Sequence, residues 1–197
     1  MTLRSATPAD AAALHQLIAE NLEVGHLLPR TMEDLEQNAH RFVVVDAGNA
    51  VVACAELAPI GETVAEVRSL VVHEDYRGQK IGARLIQHIA DTANERGFST
   101  LCAFTHEPGH FVRLGFSIVP HMWVPEKIAH DCTSCALFRR CGQYAVTLTL
   151  RAGVSVRPQQ PAAVIYAGRV AAPRKPNVER LRLHPLRPIR RKEPVPA

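Results

Sequence analysis

Aromatic side chains make up only 5% of this 197-residue chain, too few for the ring-stacking platforms of base-binding RNA modules. Long apolar runs are missing as well. The longest, such as Phe42–Val45 and Leu70–Val72, fall far short of the roughly 18 residues that a membrane span needs. The opening Met1-Thr2-Leu3-Arg4-Ser5 has no apolar signal core and no small-residue cleavage site, so the expectation is a cytoplasmic protein. What remains is ordinary: 47% hydrophobic and 21% charged residues, as in a globular domain, at a length that suits one domain with or without a tail.

The net charge of +4 conceals an asymmetry. Residues 151–197 hold 11 Lys or Arg against Glu179 and Glu193, a balance of +9, which leaves residues 1–150 at −5. Eight of the 14 prolines lie in the same stretch, as in Pro158-Gln159-Gln160-Pro161. Proline this dense removes backbone donors and breaks helices, and no helical or strand period is sustained there. The segment is expected to be a disordered basic tail. Its charge would suit nucleic acid or an acidic partner, or serve only to solvate the chain.

The first 150 residues alternate helix and strand signals. Thr7-Pro8-Ala9-Asp10 offers an N-cap, a proline at the first helical position and a first-turn acid, followed by an apolar stripe at Ala11, Leu14, Leu17 and Ile18. A second helix is expected from Thr31. Phe42–Asp46 and Val51–Leu57 flank Ala47-Gly48-Asn49 as a hairpin, and Val64–Val72 reads as a strand. Gln79–Arg96 is a long helix with Ile81, Leu85, Ile86, Ile89 and Ala93 inward, stopped by Gly97. A strand over Thr100–Phe104, a short helix near Gly109–Leu114, a strand from Phe116 and a closing strand over Tyr144–Leu150 complete the pattern. This order predicts an α/β (α+β) domain, a mixed sheet with helices on its faces.

Chemistry concentrates in Glu66-Val67-Arg68-Ser69-Leu70-Val71-Val72-His73-Glu74-Asp75-Tyr76-Arg77-Gly78-Gln79-Lys80-Ile81-Gly82. A strand passes through a polar turn into a glycine-containing, cationic loop that opens a helix. Free amides at a helix start, reinforced by Arg77, Lys80 and Arg84, suit a pyrophosphate. The two glycines by themselves would equally serve as a turn residue and a packing contact. The loop resembles the coenzyme-A loop of the GNAT superfamily of N-acetyltransferases, Q/R-x-x-G-x-G/A. Arg77, Ile81 and Gly82 stand in matching places, Gly78 fits the common R-G start, and Lys80 replaces the central glycine. Arg113-Leu114-Gly115-Phe116 resembles the late L-G-F turn of the same superfamily.

That resemblance implies a GNAT fold over residues 1–150, with a mostly antiparallel central sheet flanked by helices, and acetyl-CoA as cosubstrate with no metal required. Leu70, Val71 and Val72 would hydrogen-bond the pantetheine arm, while Arg77, Gly78, Gln79, Lys80, Ile81, Gly82 and Ala83 would wrap the pyrophosphate. Glu66 stands where histone acetyltransferases of the superfamily place their glutamate base, although a strand acid paired with Arg68 would read the same way. The tyrosine that often serves as general acid is replaced by Phe111, which has no proton to give, and Tyr144 is a remote substitute. His106 and His110 are relay candidates on the acceptor side.

Within the superfamily the chain resembles short, single-domain bacterial N-acetylglutamate synthases. Gly25-His26-Leu27-Leu28-Pro29-Arg30 is similar to their G-x-L-L-x-R turn, Ala53-Cys54-Ala55-Glu56-Leu57 to their G-C-A-A-L strand, Glu66–Leu70 to their E-(I/V)-R-(S/T)-(L/V) segment and Val124-Pro125-Glu126-Lys127 to their L-P-x-K element. A dicarboxylate acceptor needs cationic clamps, and Arg30, Arg68 and Lys127 would supply them. The implied reaction acetylates the α-amine of L-glutamate, the first step of arginine biosynthesis. Other acceptors remain open: another amino acid, a small amine or a protein N-terminus. A non-catalytic acyl-CoA-binding module is the alternative of a different class. A homodimer is compatible with all of these.

Cys132, Cys135 and Cys141, spaced C-x2-C-x5-C after His130, are zinc candidates on spacing alone, and packed or free thiols are the other reading. Cys54 and Cys102 lie in strands and read as core residues.

Overall fold

The computed structural model describes residues 1–25, 27–48 and 50–151. The tail assigned to 151–197 therefore lies outside the described residues except for Arg151. Seven strands form one sheet in the order β1-β2-β3-β4-β5-β7-β6: β1 (Thr2–Ser5), β2 (Phe42–Ala47), β3 (Ala50–Pro59), β4 (Val64–Val72), β5 (Thr100–Thr105), β6 (Ser117–Val119) and β7 (Tyr144–Thr149). Every neighbouring pair is antiparallel except β4 and β5. The helices are α1 (Ala11–Glu20), α2 (Leu22–Gly25), α3 (Met32–Asn38), α4 (Ile81–Glu95), α5 (Pro108–Val112) and α6 (Pro125–His130). Among the described residues no helix is long and apolar enough to cross a membrane.

Each face of the sheet is covered by the helices whose apolar stripes fit it. On one face α4 buries Ile81, Leu85, Ile86 and Ile89 against Ala53, Ala55, Leu57, Ala65 and Val67, and Phe98, Phe111 and Phe116 close the layer. On the other, Leu14, Leu17 and Ile18 of α1 and Leu35 of α3 pack on Phe42, Val44, Cys54 and Val71. A small third cluster (Ile60, Val64, Cys102, Val124) lies under the start of α6. Between these last two clusters the sheet carries Glu56, Glu66 and Arg68, the two carboxylates buried.

Two features of β4 open the molecule for function. Its parallel ladder with β5 ends at Glu66↔Cys102, whereas β4 runs on to Val72 and β5 to Thr105, so the two strands part. On the other side, Cys54 pairs Val71 while Glu56 pairs Arg68, which leaves Ser69 and Leu70 opposite Ala55 alone. This is a β-bulge, and Ser69 holds it with φ +46°, a left-handed conformation that costs a non-glycine residue about 1–2 kcal/mol.

Several expected elements are recovered with shifted ends. The long helix begins at Ile81 rather than Gln79, because Gly78 and Lys80 both adopt positive φ and cannot continue a helix backward. Thr31 caps α3, accepting from the Asp34 amide as its sequence suggested. The Pro8–Asp10 start is a 3-10 turn that precedes α1. Strand β1 and helices α2 and α6 have no counterpart in the sequence reading, since four to six residues are too few to show a period.

Candidate active site

Where β4 leaves β5, a groove of about 930 Å³ opens beside the N-terminus of α4. Of the residues expected to bind the cofactor, Leu70, Val71, Val72, Arg77, Gly78, Lys80, Ile81, Gly82 and Ala83 all line it, and Gln79 does not. Arg84, expected to reinforce the anion site, is exposed and away from the groove lining. The amides at the start of a 15-residue helix face no intrahelical acceptor, so the N-terminus of α4 presents donors and partial positive charge to an anion. Lys80 caps the helix at φ +60°, the conformation that the family's central glycine adopts freely. A Cβ on Gly82 would lie 3.5 Å from His110 Nε2, ordinary contact, which explains why G/A is acceptable there.

Arg77 does more structural work than a phosphate contact requires. Its Nε donates to the Val72 carbonyl at 3.0 Å and its Nη2 to Asn21 Oδ1 at 2.8 Å, while Asn21 Nδ2 donates to the Leu17 carbonyl at 2.9 Å. Arg77 thereby ties the end of β4 to the end of α1. The opposite wall of the groove comes from Glu107, His110, Arg113 and Leu114 at α5. His110 was expected on the acceptor side; the structure sets it in this groove, where burial and the Arg113 charge hold its pKa below the usual histidine range. Phe111 is buried against Phe116, ring edge to face at 5.2 Å, and is a core residue.

The acceptor candidates gather around Glu56 and Glu66, beginning two residues before Leu70 on the same strand. Glu66 is only 3% exposed and accepts from Arg68 Nε at 2.6 Å and from Lys127 Nζ at 2.7 Å. Asp131, at the C-terminus of α6, accepts from the same two cations, at 2.5 Å from Arg68 Nη2 and 2.8 Å from Lys127 Nζ. Its own Oδ1 meets His130 Nδ1 at 2.7 Å. Burial pushes the Asp131 carboxyl up, but hydrogen bonds from Lys127 and His130 and the charge of Arg68 outweigh it and hold the group below the usual carboxylate range. Arg30 donates to Glu56, 1% exposed, at 2.7 Å and to Asp34 at 2.6 Å, and its guanidinium stands 5.6 Å over the Phe42 ring. Lys127 also lies 5.3 Å over Phe104. Arg30, Arg68, Lys127 and Glu66 are thus brought to one face. Each of the three cations, however, is already neutralised by carboxylates of the chain itself.

Residues 11–116 match the acetyltransferase (GNAT) family. The chain belongs to the GNAT family. It is an acetyl-CoA-dependent acyltransferase of that family, and GNAT structures similar to it hold CoA or acetyl-CoA. Over 148 residues it is 30% identical to an uncharacterised N-acetyltransferase of Chlorobaculum tepidum, covering 75% of this chain and 96% of that one. An amino-acid acetyltransferase of Shewanella oneidensis is 36% identical over 127 residues, 64% of this chain but only 28% of the longer relative. Among solved structures, N-acetylglutamate synthase of Neisseria gonorrhoeae complexed with coenzyme A and N-acetyl-glutamate superposes with a TM-score of 0.68 at 27% identity, over 76% of this chain and 35% of that one. This GNAT chain therefore spans about a third of the length of the named amino-acid acetyltransferases it resembles.

Two groups of residues in the GNAT domain were not legible beforehand. Asn21, Leu27, Tyr76, Glu107, Arg113 and Leu114 join the groove from segments whose convergence only the fold creates. Asp131 carried no signal beyond its i+4 spacing from Lys127, which does predict their contact. The zinc candidates fare differently. Cys132, Cys135 and Cys141 sit in an exposed or half-buried segment, and among the described residues no three His, Cys, Asp or Glu side chains are arranged to hold a metal ion. Cys54 and Cys102 are buried as expected, and burial pushes the Cys54 thiol up to about 12.

Proposed function

We propose that the chain transfers the acetyl group of acetyl-CoA to the α-amine of L-glutamate. The observation that carries this reading is the set of three cations, Arg30, Arg68 and Lys127, on one face beside a buried carboxylate. That face lies on β4, adjoining the groove residues Leu70–Val72 on the same strand. An acceptor with two carboxylates is the amine that such a face suits best. The likeness to amino-acid acetyltransferases supports the same choice.

In this reading the β4 edge left free beyond Glu66 supplies backbone hydrogen bonds to the pantetheine arm. The first turn of α4, with Lys80, receives the pyrophosphate. Glu66 takes a proton from the acceptor ammonium, directly or through one water, and the freed amine attacks the thioester carbonyl. The new C–N bond forms, the C–S bond breaks, and the proton that the acylated nitrogen sheds passes through water to the CoA thiolate, because Phe111 offers none. Arg68 and Lys127 hold both Glu66 and the acceptor carboxylate, so positioning and charge balance are set by the same two side chains.

Steady-state kinetics of Arg68→Ala test the reading. KM for L-glutamate should rise about 10- to 100-fold, the effect of losing one charged hydrogen-bonded pair, with KM for acetyl-CoA little changed. Equal changes in both constants would remove Arg68 from the acceptor site.

A further inference from the structure

We propose that Asp131 is a displaceable internal competitor that occupies the acceptor-carboxylate position on Arg68 and Lys127, and so sets the affinity for the acceptor. The proposal rests on the assignment of those two cations to the acceptor.

Three observations lead there. The first is stoichiometry. Arg68 and Lys127 contribute two positive charges, and Glu66 and Asp131 two negative ones, at distances of 2.5–2.9 Å. The group is neutral as it stands. A substrate carboxylate added to it would leave one negative charge uncompensated in a partly buried site, which is costly, whereas one exchanged for Asp131 would leave it balanced.

The second is position. The side chain of Glu66 is 3% exposed, Lys127 12%, Arg68 22% and Asp131 32%. Asp131 is the outermost member, so a carboxylate arriving from solvent meets it before it meets either cation. Glu66 lies too deep to be the group that yields.

The third is tethering. Asp131 ends a six-residue helix and opens a segment running to Gln143 in which no residue is buried, before Tyr144 begins β7. Two 3-10 turns, Cys132–Ser134 and Phe138–Arg140, are its regular structure, and Leu137 and Phe138 point out at 58% and 49% exposure. Swinging Asp131 outward therefore gives up the two ion pairs to Arg68 and Lys127 and little apolar contact, and His130, the adjacent residue that meets its other oxygen, is itself half exposed. The acceptor's own carboxylate replaces those pairs.

A competitor in place for nine-tenths of the time or more weakens apparent acceptor affinity by about tenfold or more. Full-length protein and its Asp131→Asn variant, each with CoA present, can be titrated calorimetrically with glutarate, a dicarboxylate that has no amine to acetylate. Asp131→Asn should bind glutarate about tenfold more tightly, Asp131→Glu should restore the wild-type value, and KM for L-glutamate should fall in Asp131→Asn. Equal or weaker glutarate binding would overturn the proposal and make Asp131 a residue that positions the cations. CoA binding, which uses the separate groove, reports the fold of each variant. If Asp131→Asn loses it, Asp131→Ser takes its place, and loss in both would also overturn the proposal, since a removable carboxylate cannot be indispensable. Tighter glutarate binding with no acetylation of L-glutamate by any of the proteins would keep the competitor and discard the glutamate reading.

Discussion

Glu66 answers two demands at once. It anchors two cations inside the sheet face, and in the proposed reaction it accepts a proton. Glu66→Gln keeps the shape and removes the charge. Turnover should fall about 10²- to 10⁴-fold, the contribution of a positioned base, while acetyl-CoA binding in the neighbouring groove persists. A lower melting temperature should accompany it, because the buried ends of Arg68 and Lys127 then share Asp131 alone. Unchanged turnover would leave Glu66 a purely structural anchor. Lys80 shows the opposite balance at residue scale. A non-glycine at φ +60° is strained, so Lys80→Gly relieves strain in the folded chain while adding entropy to the unfolded one. Its melting temperature should move by no more than about 2–4 °C, but KM for acetyl-CoA should rise severalfold as the cation beside the pyrophosphate is lost. Thermal scans and kinetics on the same preparation separate the two effects.

At the scale of elements, the first strand and first helix are joined by charge. Arg4 of β1 donates to both oxygens of Asp10 at 2.8 Å and to Asp46 of β2 at 2.6 Å, and Asp10 also accepts from the Thr7 amide at 2.7 Å. The Arg4 hydrogen bonds, opposed by burial and aided by Thr7, hold the Asp10 carboxyl far below its ordinary value. A depressed carboxylate stabilises the folded chain above the unfolded pKa of about 3.9, and that stability is lost as pH falls through and below it. Asp10→Ala should therefore unfold at a lower temperature than the native chain at pH 7, by the equivalent of about 1 kcal/mol for a lost cap. The gap should narrow below about pH 4. A gap independent of pH would assign the effect to helix propensity alone. This junction also shows what the sequence displayed and what it hid. Thr7-Pro8-Ala9-Asp10 announced a helix start, whereas β1 is four residues long and is held by partners about forty positions away, which no local pattern reveals.

For the molecule as a whole, the parting of β4 and β5 is the feature that opens the groove proposed for the cosubstrate. Six of the seven strands, the long helix and the loop residues from Arg77 to Ala83 other than Gln79 were readable, because period and glycine placement are local properties. The insertion of β7 between β5 and β6 was not, since pairing order is decided by packing. Likewise the sequence showed three cations of use to a dicarboxylate and allowed Glu66 to pair Arg68, but not that Glu56 answers Arg30 or that Asp131 answers Arg68. Charge pairing across 26 to 63 positions belongs to the fold.

One assay decides the acceptor. Purified protein is given acetyl-CoA with each of a panel of amines, with free CoA followed and products identified by mass. L-Glutamate should be acetylated well above glutamine, aspartate and peptide amines. Preferential turnover of another amine would contradict it while leaving the GNAT fold and cosubstrate in place. CoA binding with no turnover on any amine would contradict it more deeply, and would make the face around Glu66 a binding surface.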